Sequence, residues 1–592
     1  MPVFKAPLRD MRFILDEVFQ ASELWARLPA LAEQVDRDTV DAILEEAAKF
    51  NENVVFPLNR SGDEEGAKFD NGVVTTPAGF KDAFSQYGEG GWIGLGADPR
   101  WGGQGMPKMV TVMTEEILFG ANPSFALYPL LGIGAALAMS QHAGDELNER
   151  YLPKIYSGEW SGTMCLTEPH AGTDLGIIKT KAIPQADGSY EVSGTKIFIT
   201  GGEHDLTSNI IHLVLAKLPD APAGSKGISL FLVPKFLVND DGSVGARNAV
   251  SAGNIEHKMG IKASATCVMN FDGAKGWLVG EVNKGLAAMF VMMNYERLSM
   301  GLQGIGASEV AYQNAAAYAK DRIQGRSATG AKQPEKAADS ILVHADVRRM
   351  LLKVRAHNEA GRCFAMYVSK YLDLAKYSTD ADEKAAATNI VALMTPVAKA
   401  FLTDKAFEAC VEAQQVFGGH GYVREWGMEQ LVRDTRIAQI YEGANGIQAL
   451  DLVGRKLVSN QGAFINTYLA EVRALIAATS ADPALAGYAA ATSAAADQIA
   501  SAAEWILSVA RTQPNEVSGA SVDFLHAFGL LCYAHMWLLM AQAASKQSSD
   551  FHADKLVVAK FFYARLLPEL NARVTALKAG SDMIMALDAA SF

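Results

Sequence analysis

Cysteine is scarce in this chain of 592 residues, and the five present (Cys165, Cys267, Cys363, Cys410, Cys532) are widely scattered. No Cys-x-x-Cys pair occurs, and an odd, dispersed set fits no disulfide framework. A reduced, cytoplasmic chain is the expectation. Basic clusters are missing too: 53 Lys and Arg stand against 66 Asp and Glu, for a net charge of −13 and a pI near 5.4. Nucleic acid demands clustered Lys and Arg against its phosphates, so no nucleic-acid partner is expected. The opening Met-Pro-Val-Phe-Lys-Ala-Pro-Leu-Arg-Asp is interrupted early by proline and charge, unlike a secretory signal. The most apolar run, residues 124–140, contains Pro129, Gly132 and Gly134. It falls short of the roughly 20 residues of a membrane-spanning helix, which leaves a buried helix and no membrane span as the expectation.

Familiar site motifs are absent as well. No G-x-G-x-x-G follows a strand, so a dinucleotide, if bound, is held in another way than on a Rossmann turn. Neither a P-loop nor a G-x-S-x-G elbow occurs. His420 has no second His or Cys at ligand spacing, which argues against a metal site.

What is there is long and mostly helical. A chain of this length exceeds one hydrophobic core, so three or four packed units are expected. Hydrophobic residues make up 49% and charged residues 20%, ordinary for a folded protein. Residues 36–50 carry apolar side chains at Val40, Ile43, Leu44 and Ala47, a helical stripe. From about 161 to 283 the pattern turns to short strands: 189–192, 196–200, 210–215, 227–233 and 267–271. Several such strands with turns between them predict a compact β-barrel or sandwich. Helices then return at about 285–326, 346–377 and 382–417, with a polar Gly/Lys/Pro loop near 325–338. Beyond residue 460 an Ala-rich tail with breaks at Asp482-Pro483 and Gln513-Pro514 reads as a further helical bundle. The expected fold is mostly α with a central β domain. Its limits are an N-terminal extension over 1–40, helices over 41–160, the β domain over 161–283, a helical bundle over 284–460 and an additional helical domain over 461–592.

Five segments carry chemistry. In Arg436-Ile-Ala-Gln-Ile-Tyr-Glu442-Gly443-Ala-Asn-Gly446 one carboxylate stands between an apolar run and a glycine-punctuated turn. Drawn out of water there, its pKa rises and suits it to take a proton from carbon. Alone, it would be read first as a solvated helix-end Glu-Gly. Cys165-Leu-Thr-Glu-Pro-His-Ala-Gly-Thr-Asp174 offers hydroxyls and backbone N–H groups in a turn able to approach a ligand. Lys196-Ile-Phe198-Ile-Thr200-Gly-Gly202 presents an aromatic face and a hydroxyl on one strand. Tyr295-Glu-Arg297 and Asp321-Arg322 place guanidinium forks on helices, suited to phosphate or to plain surface charge. Gln415-Val-Phe-Gly418-Gly419-His420-Gly421-Tyr422 ends a helix with glycines that cap it and leave the backbone open.

Together, and in this order, the five segments resemble the acyl-CoA dehydrogenase family of flavoproteins over about residues 40–460. The tail resembles the longer bacterial branch, which includes fatty acyl-CoA and 3-methylthiopropanoyl-CoA dehydrogenases. The resemblance implies FAD as cofactor and an acyl-CoA thioester as substrate, oxidised to a trans-2-enoyl-CoA in fatty acid β-oxidation. Electrons would pass to an electron-transfer flavoprotein; an acyl-CoA oxidase would use oxygen instead. Glu442 matches the family's base. Leu166, Thr167, Gly172 and Thr173 match the segment along the flavin ring and pyrophosphate, Thr173 also nearing the thioester. Phe198 and Thr200 match residues beside the isoalloxazine, where many members have Trp in place of Phe198. Arg322 and Gln324 match an Arg-x-Gln that binds FAD phosphate or adenosine; Gly325-Arg326 stands where members often have Phe-Gly. Gln415, Gly418 and Gly419 match the segment reaching the FAD of a neighbouring subunit, which implies at least a dimer. Arg297 and Gly443 fall on the substrate side, and Ala444 stands where many members have Thr. Medium or long straight chains are the default substrate, with the methylthio acyl group as the alternative. The extra tail favours a homodimer over a tetramer.

Overall fold

A computed structural model describes residues 2–592; Met1, first residue of the expected extension, lies outside them. The chain packs as two units. One comprises Lys49–Pro107 and Ala121–Glu296; the other comprises the residues up to Ala48, Lys108–Gly120 and Arg297–Phe592.

The first unit holds the β domain. Its main sheet runs Val250–Ile255, Thr266–Val279, Tyr190–Thr200, Lys181–Pro184, Asn209–Lys217, Trp160–Cys165. Ile228–Pro234 pairs with both Thr266–Val279 and Asn209–Lys217, so the ladder returns on itself as a barrel. Asn209–Lys217 and Ile228–Pro234 are buried almost throughout, which explains their unbroken Val, Ile and Leu runs. Leu213, Leu215, Leu230 and Leu232 join Met139, Tyr151, Trp160 and Met292 in one apolar core. The separate runs at 189–192 and 196–200 are one strand, Tyr190–Thr200, whose two register shifts against Thr266–Val279 hide its periodicity. Three strands without a clear alternation, Trp160–Cys165, Lys181–Pro184 and Val250–Ile255, escape the sequence pattern. A short hairpin, Lys68–Asp70 with Val73–Thr75, interrupts the helices before residue 160.

The second unit is helical. The Gly285–Asp321 helix enters it at Arg297, and Ala345–Tyr377 and Ala381–Val416 run alongside each other. The C-terminal helices Ala463–Thr479, Ala486–Val509 and Pro514–Ala544 begin and end where the Pro-containing breaks predict. Buried charge ties the unit's parts together. Arg362 pairs with Asp10, with Glu116 at 2.7 Å and with Glu309 at 3.0 Å, while Lys555 pairs with Asp10 and with Glu359 at 2.9 Å. Such a cluster holds only while every member is matched, because one unpaired charge here costs several kcal/mol.

The 124–140 run lies in a full 20-residue helix, Pro123–His142, longer than the sequence suggests. Among the described residues it is one of three helices long and apolar enough to cross a membrane, with Ala381–Val416 and Pro514–Ala544. Their apolar windows are 83%, 67% and 94% buried inside the fold.

Candidate active site

In the barrel unit, Leu166 and Thr167 leave the end of strand Trp160–Cys165 and lie beside strand Tyr190–Thr200. The Ile197 N–H donates to the Thr167 carbonyl at 2.9 Å, and the Lys196 ammonium to the Leu166 carbonyl at 3.0 Å. Lys196 also reaches Glu168 at 2.9 Å, and both are buried. Glu168 accepts further bonds from the Lys179 and Thr180 N–H groups and from the Thr180 hydroxyl. Burial raises the Glu168 pKa, but Lys196 and these donors outweigh it and hold the carboxyl below its ordinary value. Burial also lowers the Lys196 pKa, which Glu168 opposes. Four donors on one carboxylate make the ionised pair the better description.

The same strand turns its aromatic residue outward. Between Lys196 and Ile199 the register shifts, and Phe198 takes φ +58°, a left-handed conformation rare for a bulky residue. The residue is 59% exposed, an expensive arrangement unless a flat partner covers it. Thr200 is half-buried, and Gly172 and Thr173 are exposed. A Cβ on Gly172 would meet nothing within 4 Å, so this turn is open to a ligand. All six barrel residues singled out from the sequence therefore belong to this one unit.

In the helical unit, two groups form. Arg322, Gln324, Gly418 and Gly419 line one cavity of about 410 Å³ with Tyr318, Ile341, Val416, Phe417 and His420. Tyr318 and Phe417 stack at 4.2 Å, and the Tyr318 hydroxyl bonds His420 Nδ1 at 2.9 Å. The long loop after Arg322 is set by Asp339, which receives the Ser327, Lys332 and Gln333 N–H groups and Arg326. Gly418 caps the preceding helix at φ +59°, and neither Gly418 nor Gly419 would meet an atom within 4 Å if given a Cβ. Gln415 sits exposed one turn earlier.

The second group surrounds Glu442. The Met428–Arg436 helix gives way to a short 3-10 turn at Ile437–Gln439. Glu442 then adopts φ +55° and Gly443 φ +86°. A left-handed Glu carries strain, and the surroundings hold it: Gln448 Nε2 donates to the Glu442 carbonyl at 3.1 Å, and the Tyr441 hydroxyl to Gln303 at 2.5 Å. No hydrogen bond to the Glu442 carboxylate is present among the described residues, and its backbone N–H meets no protein acceptor there. Its surface is only partly covered, yet protein surrounds the carboxyl. Desolvation therefore dominates and pushes its pKa up to about 7, against the pull of Arg297 and Lys399.

Lys399, with no sequence signal of its own, is fully buried and donates to Asn445 Oδ1 at 2.7 Å. Burial takes its pKa down to about 7, with Glu442 and Asp404 pulling the other way. Arg297 is lowered by burial and supported by Asp451 and Glu442. Arg297, Glu442 and Gly443 thus fall together in this unit, while Thr173 belongs to the barrel unit. A desolvated carboxylate near neutrality, with two cations in reach, is the arrangement of a general base.

Comparison with known proteins agrees along the whole chain. Residues 37–159, 163–274 and 283–458 match the N-terminal, middle and C-terminal domains of acyl-CoA dehydrogenase, and residues 468–588 match "Acetyl-CoA dehydrogenase C-terminal like". The chain is 40% identical over 594 residues to a 3-methylmercaptopropionyl-CoA dehydrogenase of Ruegeria pomeroyi, covering 98% of this chain and 99% of that one. It is 36% identical over 596 residues to a butyryl-CoA dehydrogenase of Syntrophomonas wolfei, covering 96% of each. An acyl-CoA dehydrogenase of Bacillus anthracis, solved with FAD, shares the fold at TM-score 0.76 and 22% identity, over 99% of this chain and 94% of that one. The chain belongs to the acyl-CoA dehydrogenase family, and is a FAD-dependent oxidoreductase.

Proposed function

We propose that this enzyme removes hydrogen across the α,β bond of a short acyl-CoA thioester, with Glu442 as the base. The observation that carries this reading is the Glu442 carboxyl: desolvated, without a hydrogen bond among the described residues, and with its pKa pushed up to about 7. An ordinary carboxylate would be too weak a base to take an α-proton, and matching its pKa to the working pH is what makes transfer efficient. The Glu442 N–H, with no protein acceptor, is a donor for the thioester oxygen, a contribution of about 3–4 kcal/mol as negative charge develops. Arg297 and Lys399 hold part of Glu442 ionised in a site that burial would otherwise leave protonated.

The residues present fit FAD. The open Gly172 turn, the exposed Phe198 face, and the cavity walled by Tyr318 and Phe417 with Arg322 at its edge offer backbone donors, a flat surface and a cation. Bound FAD supplies the hydride acceptor. Leu166, Thr167, Gly172, Thr173, Phe198 and Thr200 would lie along the ring and pyrophosphate of a FAD, Arg322 and Gln324 would bind FAD phosphate or adenosine, and Gln415, Gly418 and Gly419 would reach the FAD of a neighbouring subunit. Electron-transfer flavoprotein as acceptor, a homodimer, a cytoplasmic location, a place in fatty acid β-oxidation and domain limits near 40, 160, 283 and 460 complete the reading.

The two relatives are named for butyryl and 3-methylmercaptopropionyl thioesters, short chains that differ in length by one heavy atom. They move the proposed substrate from the medium and long chains expected at first to these. The test is anaerobic flavin bleaching by a series of acyl-CoAs that includes both. Fastest bleaching by the two short thioesters supports the reading, and bleaching only by long chains overturns the substrate. Peroxide release in air at the rate of turnover would identify an oxidase instead.

A further inference from the structure

The loop that carries Glu442 is tied to the additional C-terminal domain by a chain of buried polar side chains. His526, on helix Pro514–Ala544 and 7% exposed, faces Asp404 Oδ2 through Nε2 at 3.1 Å. Asp404, on helix Ala381–Val416, accepts at Oδ1 from Gln439 Nε2 and from Asn445 Nδ2, each at 2.7 Å. Gln439 and Asn445 bracket Glu442, three residues to either side. Asn445 also donates to Thr403 Oγ1 at 3.0 Å and accepts from Lys399 at 2.7 Å. Asp404 thus holds both ends of the strained loop, and His526 is the cationic or neutral donor that completes its bonds.

From this geometry we infer that His526 and Asp404 are positioning residues: the C-terminal domain fixes the catalytic loop and the Lys399 ammonium through the relay His526–Asp404–Asn445–Lys399. The inference rests on the reading of Glu442 as the base. The relay adds to the Gln448 and Tyr441 bonds that hold this left-handed Glu, whose carboxylate has no hydrogen bond among the described residues. The charges that face the relay are few. Arg297 and Lys399 act on Glu442; Glu442, Asp404 and Arg297 act on Lys399; His526 faces Asp404 and Glu569. Burial raises the Asp404 pKa, but His526, Gln439 and Asn445 outweigh it, so Asp404 stays ionised and keeps its acceptor role. His526, more than 80 residues beyond Glu442 along the chain, therefore reaches its loop through Asp404.

The experiment uses the full-length FAD-bound protein with butyryl-CoA and 3-methylmercaptopropionyl-CoA as probes. His526→Leu should slow anaerobic flavin bleaching about tenfold to a hundredfold with KM unchanged, as expected for a reacting group displaced by less than an ångström or so. His526→Gln, which keeps a donor near Nε2, should restore most of the rate. Lys399→Met should move the acid limb of the bleaching rate upward by about one pH unit, because the cation that favours ionised Glu442 is gone. Amide hydrogen exchange over residues 436–450, read without substrate, should quicken in His526→Leu and Asp404→Asn and stay slow in His526→Gln. If His526→Leu fails to accumulate with FAD, Asn445→Ala at the half-exposed loop end is read in the same way. Unchanged bleaching, pH profile and loop exchange in these variants overturn the relay while leaving the base intact. Unimpaired bleaching in Glu442→Gln overturns the base itself, so the two failures are distinguishable.

Discussion

Of the lysine–glutamate pairs withdrawn from water in this protein, one in each unit, Lys196–Glu168 and Lys399–Glu442, behave in opposite ways. In the barrel unit Lys196 bonds Glu168 directly at 2.9 Å, and three further donors complete the carboxylate. In the helical unit Lys399 spends its bond on Asn445 and acts on Glu442 only through space. Glu168 is held below its ordinary pKa, whereas Glu442 rises to about 7. Burial is common to both; the difference is the supply of hydrogen-bond donors. A buried carboxylate with its lone pairs satisfied stays ionised, and one left bare is pushed up toward the pKa a base needs.

The largest expected effect breaks the reactive side of that contrast. Glu442→Gln should keep FAD and lose about 10²–10⁴-fold of the flavin-bleaching rate, the usual worth of a general base. In the unaltered enzyme the same rate should climb as pH passes through about 7, where Glu442 loses its proton.

Next comes stability. Lys196→Met strands Glu168 and removes the donor to the Leu166 carbonyl, and should cost about 3–5 kcal/mol in urea unfolding. Lys399→Met removes a buried ammonium with one hydrogen bond, and should cost far less or nothing; equal losses would erase the distinction drawn here. Gly443→Ala is expected to lose about 1–2 kcal/mol, since φ +86° disfavours any Cβ and this one would meet Gln448 Nε2 at 2.5 Å. Bleaching should slow with it, because Gln448 also holds the Glu442 carbonyl.

The smallest effect concerns the strained aromatic residue of the barrel. Phe198→Gly relieves φ +58° and should make the FAD-free protein more stable by about 1 kcal/mol in thermal unfolding, while weakening FAD retention. Loss of both together would mean that Phe198 serves packing alone.

Much of this was legible in the residues themselves. The helices at 285–321, 345–377 and 381–416 follow from apolar periodicity and fall within a few residues of the expected limits. The Glu442-Gly443 turn advertises its left-handed backbone through glycine. Phe198 does not, because no sequence rule puts a bulky residue at positive φ inside a strand; the bulge that does so is a property of the paired strand. Lys399 was silent for a different reason. It lies in an Ala-rich helix 43 positions before Glu442, and only packing turns an ordinary lysine into a buried cation beside a base. His526 is hidden likewise, in the middle of a helix whose sequence reads as apolar filling. Ala444 departs from the family pattern, and the structure shows what remains there: a backbone helix start without a side-chain cap.

The titration of Glu442 itself is the most direct test. Infrared difference spectra of the carboxyl band against pH, with Glu442→Gln and Glu168→Gln as references, isolate the two groups. A Glu442 midpoint near 7 beside a Glu168 midpoint below the ordinary carboxylate range is the predicted result. Two midpoints together in the ordinary range, near 4–5, would contradict it.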